Sequence, residues 1–123
     1  MTERARALRR GVLAERLASD FLEAQGLRPI SRNFRTPQGE IDLIMRDGDV
    51  LVFVEVRCRT SNAFVHAEET IDRRKRQHIV LAGQRFLQMN RQSDCATCRF
   101  DVIIVTGNGK NRKIEWLKRA FDA

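Results

Sequence analysis

Apolar and polar positions along the chain change period several times, and each change marks an element. Over 2–25, Val12, Leu13, Leu17, Phe21 and Leu22, with Ala14 and Ala18, recur at helical spacing. Gly26 follows where a helix stops, with Pro29 just beyond. Residues 27–35 take strand character, broken at Pro29, and Thr36-Pro37-Gln38-Gly39 reads as a turn. From 39 to 59 the period falls to two, which predicts a hairpin closed by Asp47-Gly48.

That hairpin carries charge where a strand should not want it. Ile41, Leu43 and Met45 share one face of its first strand; Glu40, Asp42, Ile44 and Arg46 share the other. On its second strand Val50, Val52, Val54, Val56 and Cys58 oppose Leu51, Phe53, Glu55, Arg57 and Arg59. A turn centred on Asp47-Gly48 pairs Arg46 with Asp49, Ile44 with Leu51, Asp42 with Phe53 and Glu40 with Glu55. Glu40, Asp42 and Glu55 then crowd together at the end away from the turn, with Asp42 diagonal to Glu55. Like charges opposite one another destabilise a sheet, so a compensating cation is needed. An all-oxygen cluster suits a hard divalent ion such as Mg²⁺ or Mn²⁺. Pairing with Arg46, Arg57 and Arg59 is the plainer solution, and spacing alone leaves both open.

A second helix is predicted over 67–89, with Glu68 and Glu69 at its start and Ile71, Ile79, Ala82, Phe86 and Met89 along one face. Lys75 falls on that inward face. Arg73, Arg74 and Arg76 surround it in the densest basic run of the chain, a pattern suited to phosphate contact or to a solvated helix face. Polar connections are expected at 60–65 and 90–97. A buried strand follows over 99–106, a turn at Gly107-Asn108-Gly109, a short strand over 113–117 and a helical tail to Ala123. The order helix, three strands, helix, two strands describes one α/β domain over 1–123, a mixed sheet covered by helices.

Charge narrows the partners. A net charge of +7 and a pI near 10.3 favour a polyanion, nucleic acid first and an anionic membrane surface second. No apolar run is long enough to span a membrane, and no apolar signal core follows the Arg- and Ala-rich start, so a cytoplasmic location is expected. Three cysteines, an odd number, agree with a reducing compartment. Cys95 and Cys98 have metal-ligand spacing, but only Cys58, His66 and His78 could complete a set, so no zinc is expected. Phe100 and Trp116 read as core, leaving no aromatic platform for bases. Glu15 borders the core-facing stripe of the first helix, from which a carboxylate could reach the sheet.

Glu40-Ile41-Asp42-Leu43-Ile44 and Phe53-Val54-Glu55-Val56-Arg57 closely resemble the YraN-like family of bacterial proteins. Gly11, Glu15, Ala18, Leu22 and Gly26, then Asn33-Phe34-Arg35, Lys75 and Phe100-Asp101-Val102, extend the resemblance over nearly the whole chain. That family resembles the PD-(D/E)XK nucleases and Holliday-junction resolvases. The resemblance implies a restriction-endonuclease-like, three-layer α/β/α fold with a central mixed sheet, in the order α-β-β-β-α-β-β. It also implies a phosphodiesterase site holding Mg²⁺ or Mn²⁺ on Asp42, Glu55, the Val56 carbonyl and the helix-borne Glu15, with Glu40 a nearby acid. DNA, branched or damaged, is the implied substrate, ahead of RNA, and a homodimer follows by analogy alone. The pattern expects lysine two residues after the second acid, where this chain has Arg57. Arginine stays protonated and cannot act as a general base. Lys75 is then the candidate for the missing ammonium. Arg35, Arg73, Arg74 and Arg76 would contact phosphates. The alternative is a nucleic-acid-binding module on the same fold without turnover; a third is a basic surface for an acidic partner protein.

Overall fold

The computed structural model describes residues 2–59, 72–90, 97–107 and 109–122, apart from the side chains of Ala7 and Arg10. Helix α1 (Glu3–Ala24) is capped by Thr2, whose Oγ1 accepts from the Ala5 N–H at 3.0 Å. It ends at Gly26, in the left-handed region at φ +99°, where Leu27 N–H donates to Leu22 O and Gly26 N–H to Glu23 O. Strands β1 (Arg28–Thr36), β2 (Gly39–Asp47) and β3 (Val50–Arg59) follow. Helix α2 (Arg73–Met89), β4 (Thr97–Thr106), a 3₁₀ turn (Gly109–Asn111) and β5 (Lys113–Phe121) complete the order.

The strands form one sheet in the order β1-β2-β3-β4-β5. β3 and β4 are parallel, joined across α2, and the other neighbours are antiparallel. α1 covers one face, where Ala14, Ala18 and Leu22 meet Leu43, Met45, Val52, Val54, Ile103 and Val105. α2 covers the other, where Ile79, Ala82 and Phe86 meet Ile44, Phe53, Phe100 and Val102. Gly83 lets the Phe53 ring come within 3.1 Å of where a Cβ would stand. The sheet thus lies between two helical layers, the α/β/α arrangement expected.

Several expectations change. The hairpin turns at Gly48-Asp49, not Asp47-Gly48: Asp47 pairs with Val50, Arg46 with Leu51 and Ile44 with Phe53. Gly48 has φ +60°, the first central position at which a two-residue hairpin favours glycine. The slip is two residues, so by itself it moves no side chain to the other face. Ile41 does not share a face with Leu43 and Met45; it joins the α2-side cluster while they join the α1-side cluster. Asn33, opposite Asp42 on β1, is left-handed at φ +50°.

Val12, Leu13 and Met89 are exposed, because the sheet covers α1 only from Ala14 onward and α2 only as far as Phe86. α2 begins at Arg73 with Asp72 as its cap, Oδ1 accepting from the Lys75 N–H at 2.8 Å. The tail is strand, not helix: β5 runs to Phe121. Its alternation is hidden by a bulge at which Arg119 is left-handed, φ +52°. Glu68, Glu69, Ile71, His66, Cys95, Asn108 and the 60–65 loop lie outside the described residues.

Candidate carboxylate site

The recorded β2–β3 ladder ends at Leu43 and Val54. One step further on, Asp42 stands beside Glu55, and its side chain takes over from the backbone: the Val56 N–H donates to Asp42 Oδ2 at 2.8 Å. The corrected register therefore sets Asp42 next to Glu55 directly, whereas the expected register gave that place to Glu40. Glu40 instead lies half exposed beside Arg35, with Nε 3.5 Å from Oε2.

Glu55 is only 4 % exposed, on the α2 side of β3. Two cations reach the same oxygen: Arg57 Nε lies 3.5 Å and Lys75 Nζ 3.7 Å from Glu55 Oε1. Both distances exceed a good hydrogen bond, so these are loose ion pairs, and Arg57 Nε is buried without a hydrogen-bond partner. Burial, more than anything else, pushes Glu55 up to about 8, and the Asp42 charge pushes it the same way, against Lys75 and Arg57. Asp42 is also raised, by burial first; the Val56 N–H and a hydrogen bond with Glu55 oppose the shift. That shared hydrogen bond raises Glu55 and lowers Asp42, so the two carboxyls titrate as a pair, each held above its ordinary value by burial.

Glu15 approaches from α1. Burial, then Asp42 and Glu40, raise its pKa, and its Oε1 is buried with no hydrogen-bond partner. Asp42 therefore stands between an acid from one helical layer and a lysine from the other. A cleft of about 400 Å³ opens alongside, lined by Arg35, Gln38, Glu40, Lys75 and His78. The 36–39 turn forms its wall: Thr36 Oγ1 accepts from Gly39 N–H at 3.0 Å and donates to Gly39 O at 2.9 Å. Gly39 lies so close to α2 that a Cβ there would collide with the His78 carbonyl.

Among the described residues no three His, Cys, Asp or Glu side chains stand close enough to hold an ion unaided. Mg²⁺ needs fewer, since it commonly takes one or two carboxylates and fills its shell with water and substrate oxygen. Asp42 and Glu55 could hold such an ion. The raised carboxyls and the orphaned Glu15 oxygen are what an anionic oxygen cluster lacking its counter-charge should exhibit.

The remaining predicted residues divide. Lys75 comes to the site, as its helical phase suggested. Arg73 and Arg76 do not: they line a different groove on the opposite flank of α2, and Arg74 is exposed. Arg46 sits near the hairpin turn, away from the acids. Sequence reasoning gave Asp101 no role beyond the resemblance, yet it is fully buried and accepts four hydrogen bonds from three donors. Arg99 Nε reaches both its oxygens at 3.1 Å, and Trp116 Nε1 and the Arg119 N–H each donate at 3.0 Å. An acid inside a β-branched strand was the available signal, because a buried charge requires partners. It organises the β5 bulge and lies outside the carboxylate site. No helix among the described residues is long and apolar enough to cross a membrane.

Comparison with known proteins assigns the family. A UPF0102 protein of Pseudomonas paraeruginosa is 43% identical over 125 residues, spanning 100% of both chains. One from Chromohalobacter salexigens is 47% identical over 115 residues, covering 94% of this chain and 92% of its own. One from Nitrosospira multiformis is 46% identical over 113 residues, covering 92% of each. The family model described as "Uncharacterised protein family UPF0102" matches residues 14–105, from the end of α1 that meets the sheet to the end of β4, and so contains every acid of the site. The chain belongs to UPF0102, the YraN-like family that its hairpin residues resembled.

Proposed function

We propose that the carboxylate site binds a divalent cation and hydrolyses phosphodiester bonds in nucleic acid, with DNA the preferred substrate. The observation that carries this reading is the buried Asp42–Glu55 pair, with Lys75 and Arg57 converging on Glu55 Oε1 at the edge of an open cleft. A buried pair of acids whose carboxyl pKa values are both raised takes up a divalent cation in exchange for a proton. Mg²⁺ or Mn²⁺ held by Asp42 and Glu55 would supply polarisation of the phosphate oxygen and a more acidic bound water.

The chain's own residues have separate tasks. Asp42, fixed by the Val56 N–H, keeps one oxygen aimed by the sheet and one available. Glu55, once deprotonated to solvent, would share the ion with Asp42. Lys75, with Nζ 3.7 Å from Glu55 Oε1, is placed to bind a phosphate oxygen and offset the charge that builds there. Arg57 holds charge and cannot accept a proton. Glu15 supports the site from α1, and Arg35 across the cleft guides the backbone without reading bases.

A binding module without turnover is the second reading. It is favoured by one observation: Glu55 Oε1 already has two cations of its own, which compete with a metal. The test is to incubate the protein with duplex, single-stranded and four-way DNA, with and without Mg²⁺ or Mn²⁺. Metal-dependent cleavage that disappears in Asp42→Asn and falls in Lys75→Ala is expected. Salt-sensitive binding with no cleavage of any substrate selects the second reading. Cleavage that survives Asp42→Asn belongs to another protein.

A further inference from the structure

We propose that the groove between α2 and the end of β5 docks an acidic segment of a partner protein, one carrying a bulky apolar anchor residue. The groove measures about 700 Å³ and is lined by Arg73, Arg76, Gln77, Val80, Leu81 and Phe121, with Asp122 at its rim. This is the size of a pocket that encloses a large side chain with some of its backbone. Its composition is divided. Val80, Leu81 and Phe121 supply its apolar lining, and Leu81 is 43 % exposed. Arg73 and Arg76, one turn apart on α2, line the same groove.

Helical phase keeps this groove apart from the carboxylate site. Lys75, His78 and Ile79 face the cleft beside the 36–39 turn, whereas Arg73, Arg76, Gln77 and Val80 face β5. A strand running past Lys75 therefore does not pass over Arg73 and Arg76, and the basic run serves two directions.

The chemistry favours peptide over nucleic acid. Bases bind basic grooves by stacking on aromatic faces. Phe121 has no face to offer: one side stacks on Phe100 at 5.1 Å, and the Arg76 guanidinium lies 5.7 Å from its centroid. An aliphatic lining beside two guanidiniums instead suits an apolar side chain followed or preceded by carboxylates, which arginine binds as a planar fork. The overall charge of +7 draws such a segment in.

The probe is a fluorescein-labelled oligo-aspartate peptide ending in phenylalanine, followed by anisotropy on the intact chain. Leu81→Ser and Arg73→Glu change exposed residues, and thermal melts check that both fold. Each should weaken the peptide by about tenfold. Replacing the peptide's phenylalanine with glycine should cost a similar factor. Arg9→Glu makes the same charge change on α1 and should leave affinity within about twofold. Equal binding of the two peptides, or a Leu81→Ser affinity equal to wild type, overturns the proposal. So does an oligonucleotide whose own affinity falls as far in Leu81→Ser, which gives the groove to nucleic acid. A dimer that Leu81→Ser dissolves, with no peptide binding, gives it to a second copy and also overturns the proposal.

Discussion

Glu55 should make the metal-free protein less stable as pH rises, the reverse of the usual behaviour of an acidic residue. Its carboxyl moves from an ordinary 4.5 to about 8 on folding. The folded state therefore keeps a proton that the unfolded chain has lost between those values. Stability is unaffected by this group below about pH 4.5, falls through the window and levels off above about 8. The slope is at most about 1.4 kcal/mol per pH unit, or about 4 kcal/mol from pH 5 to pH 8. Competing titrations are removed by measuring a difference: urea unfolding of wild type and Glu55→Gln, at steps from pH 5 to pH 9, without divalent ions. The variant should lose most of the slope and be the more stable protein at pH 8. Millimolar Mg²⁺ should flatten the wild-type curve and leave the variant unchanged, because the ion replaces the proton. A Glu55→Gln curve parallel to wild type refutes the buried proton, and with it the argument that these acids await a cation.

Two further outcomes test the scaffold. Asp101→Ala leaves Arg99 with Asp47 as its remaining acid and the Trp116 and Arg119 donors unpaired, so urea unfolding should register a loss of about 2–4 kcal/mol; a loss below about 1 kcal/mol would mean water replaces the carboxylate. Gly39→Ala drives a methyl into the α2 backbone at His78, which should cost about 1–3 kcal/mol in the same assay and weaken any Lys75-dependent cleavage. A Gly39→Ala protein as stable as wild type would show that the turn and helix can separate freely.

The order of elements along the chain, the helical cover of a mixed sheet and the first helix could be read from periodicity, because burial imposes its period wherever an element is regular. The errors fall where regularity stops. Asp47-Gly48 and Gly48-Asp49 both offer a glycine to a tight turn, and nothing local chooses between them. The choice was settled by how β2 and β3 fit, and it brought Asp42 rather than Glu40 to Glu55. Ile41 lies on the other face from Leu43, beside a left-handed Asn33 on the neighbouring strand, and a period of two shows neither. The final strand resembled a helix because Arg119 is left-handed too. Of the site, Asp42, Glu55, Arg57 and Lys75 were identified from spacing, phase and resemblance. The split of the basic run between two flanks needed the position of β5, which no local pattern carries.

Both outer strands of the sheet are spoiled for further pairing. β1 has Pro29, which cannot donate, and an extra residue at Ile30, with Arg28, Arg32 and Arg35 along its length. β5 has its own bulge, with Lys118 and Arg119 beside it. Neighbouring copies are thus denied a straight row of amide groups to extend. Edge-to-edge joining of this apolar five-stranded sheet is thereby disfavoured.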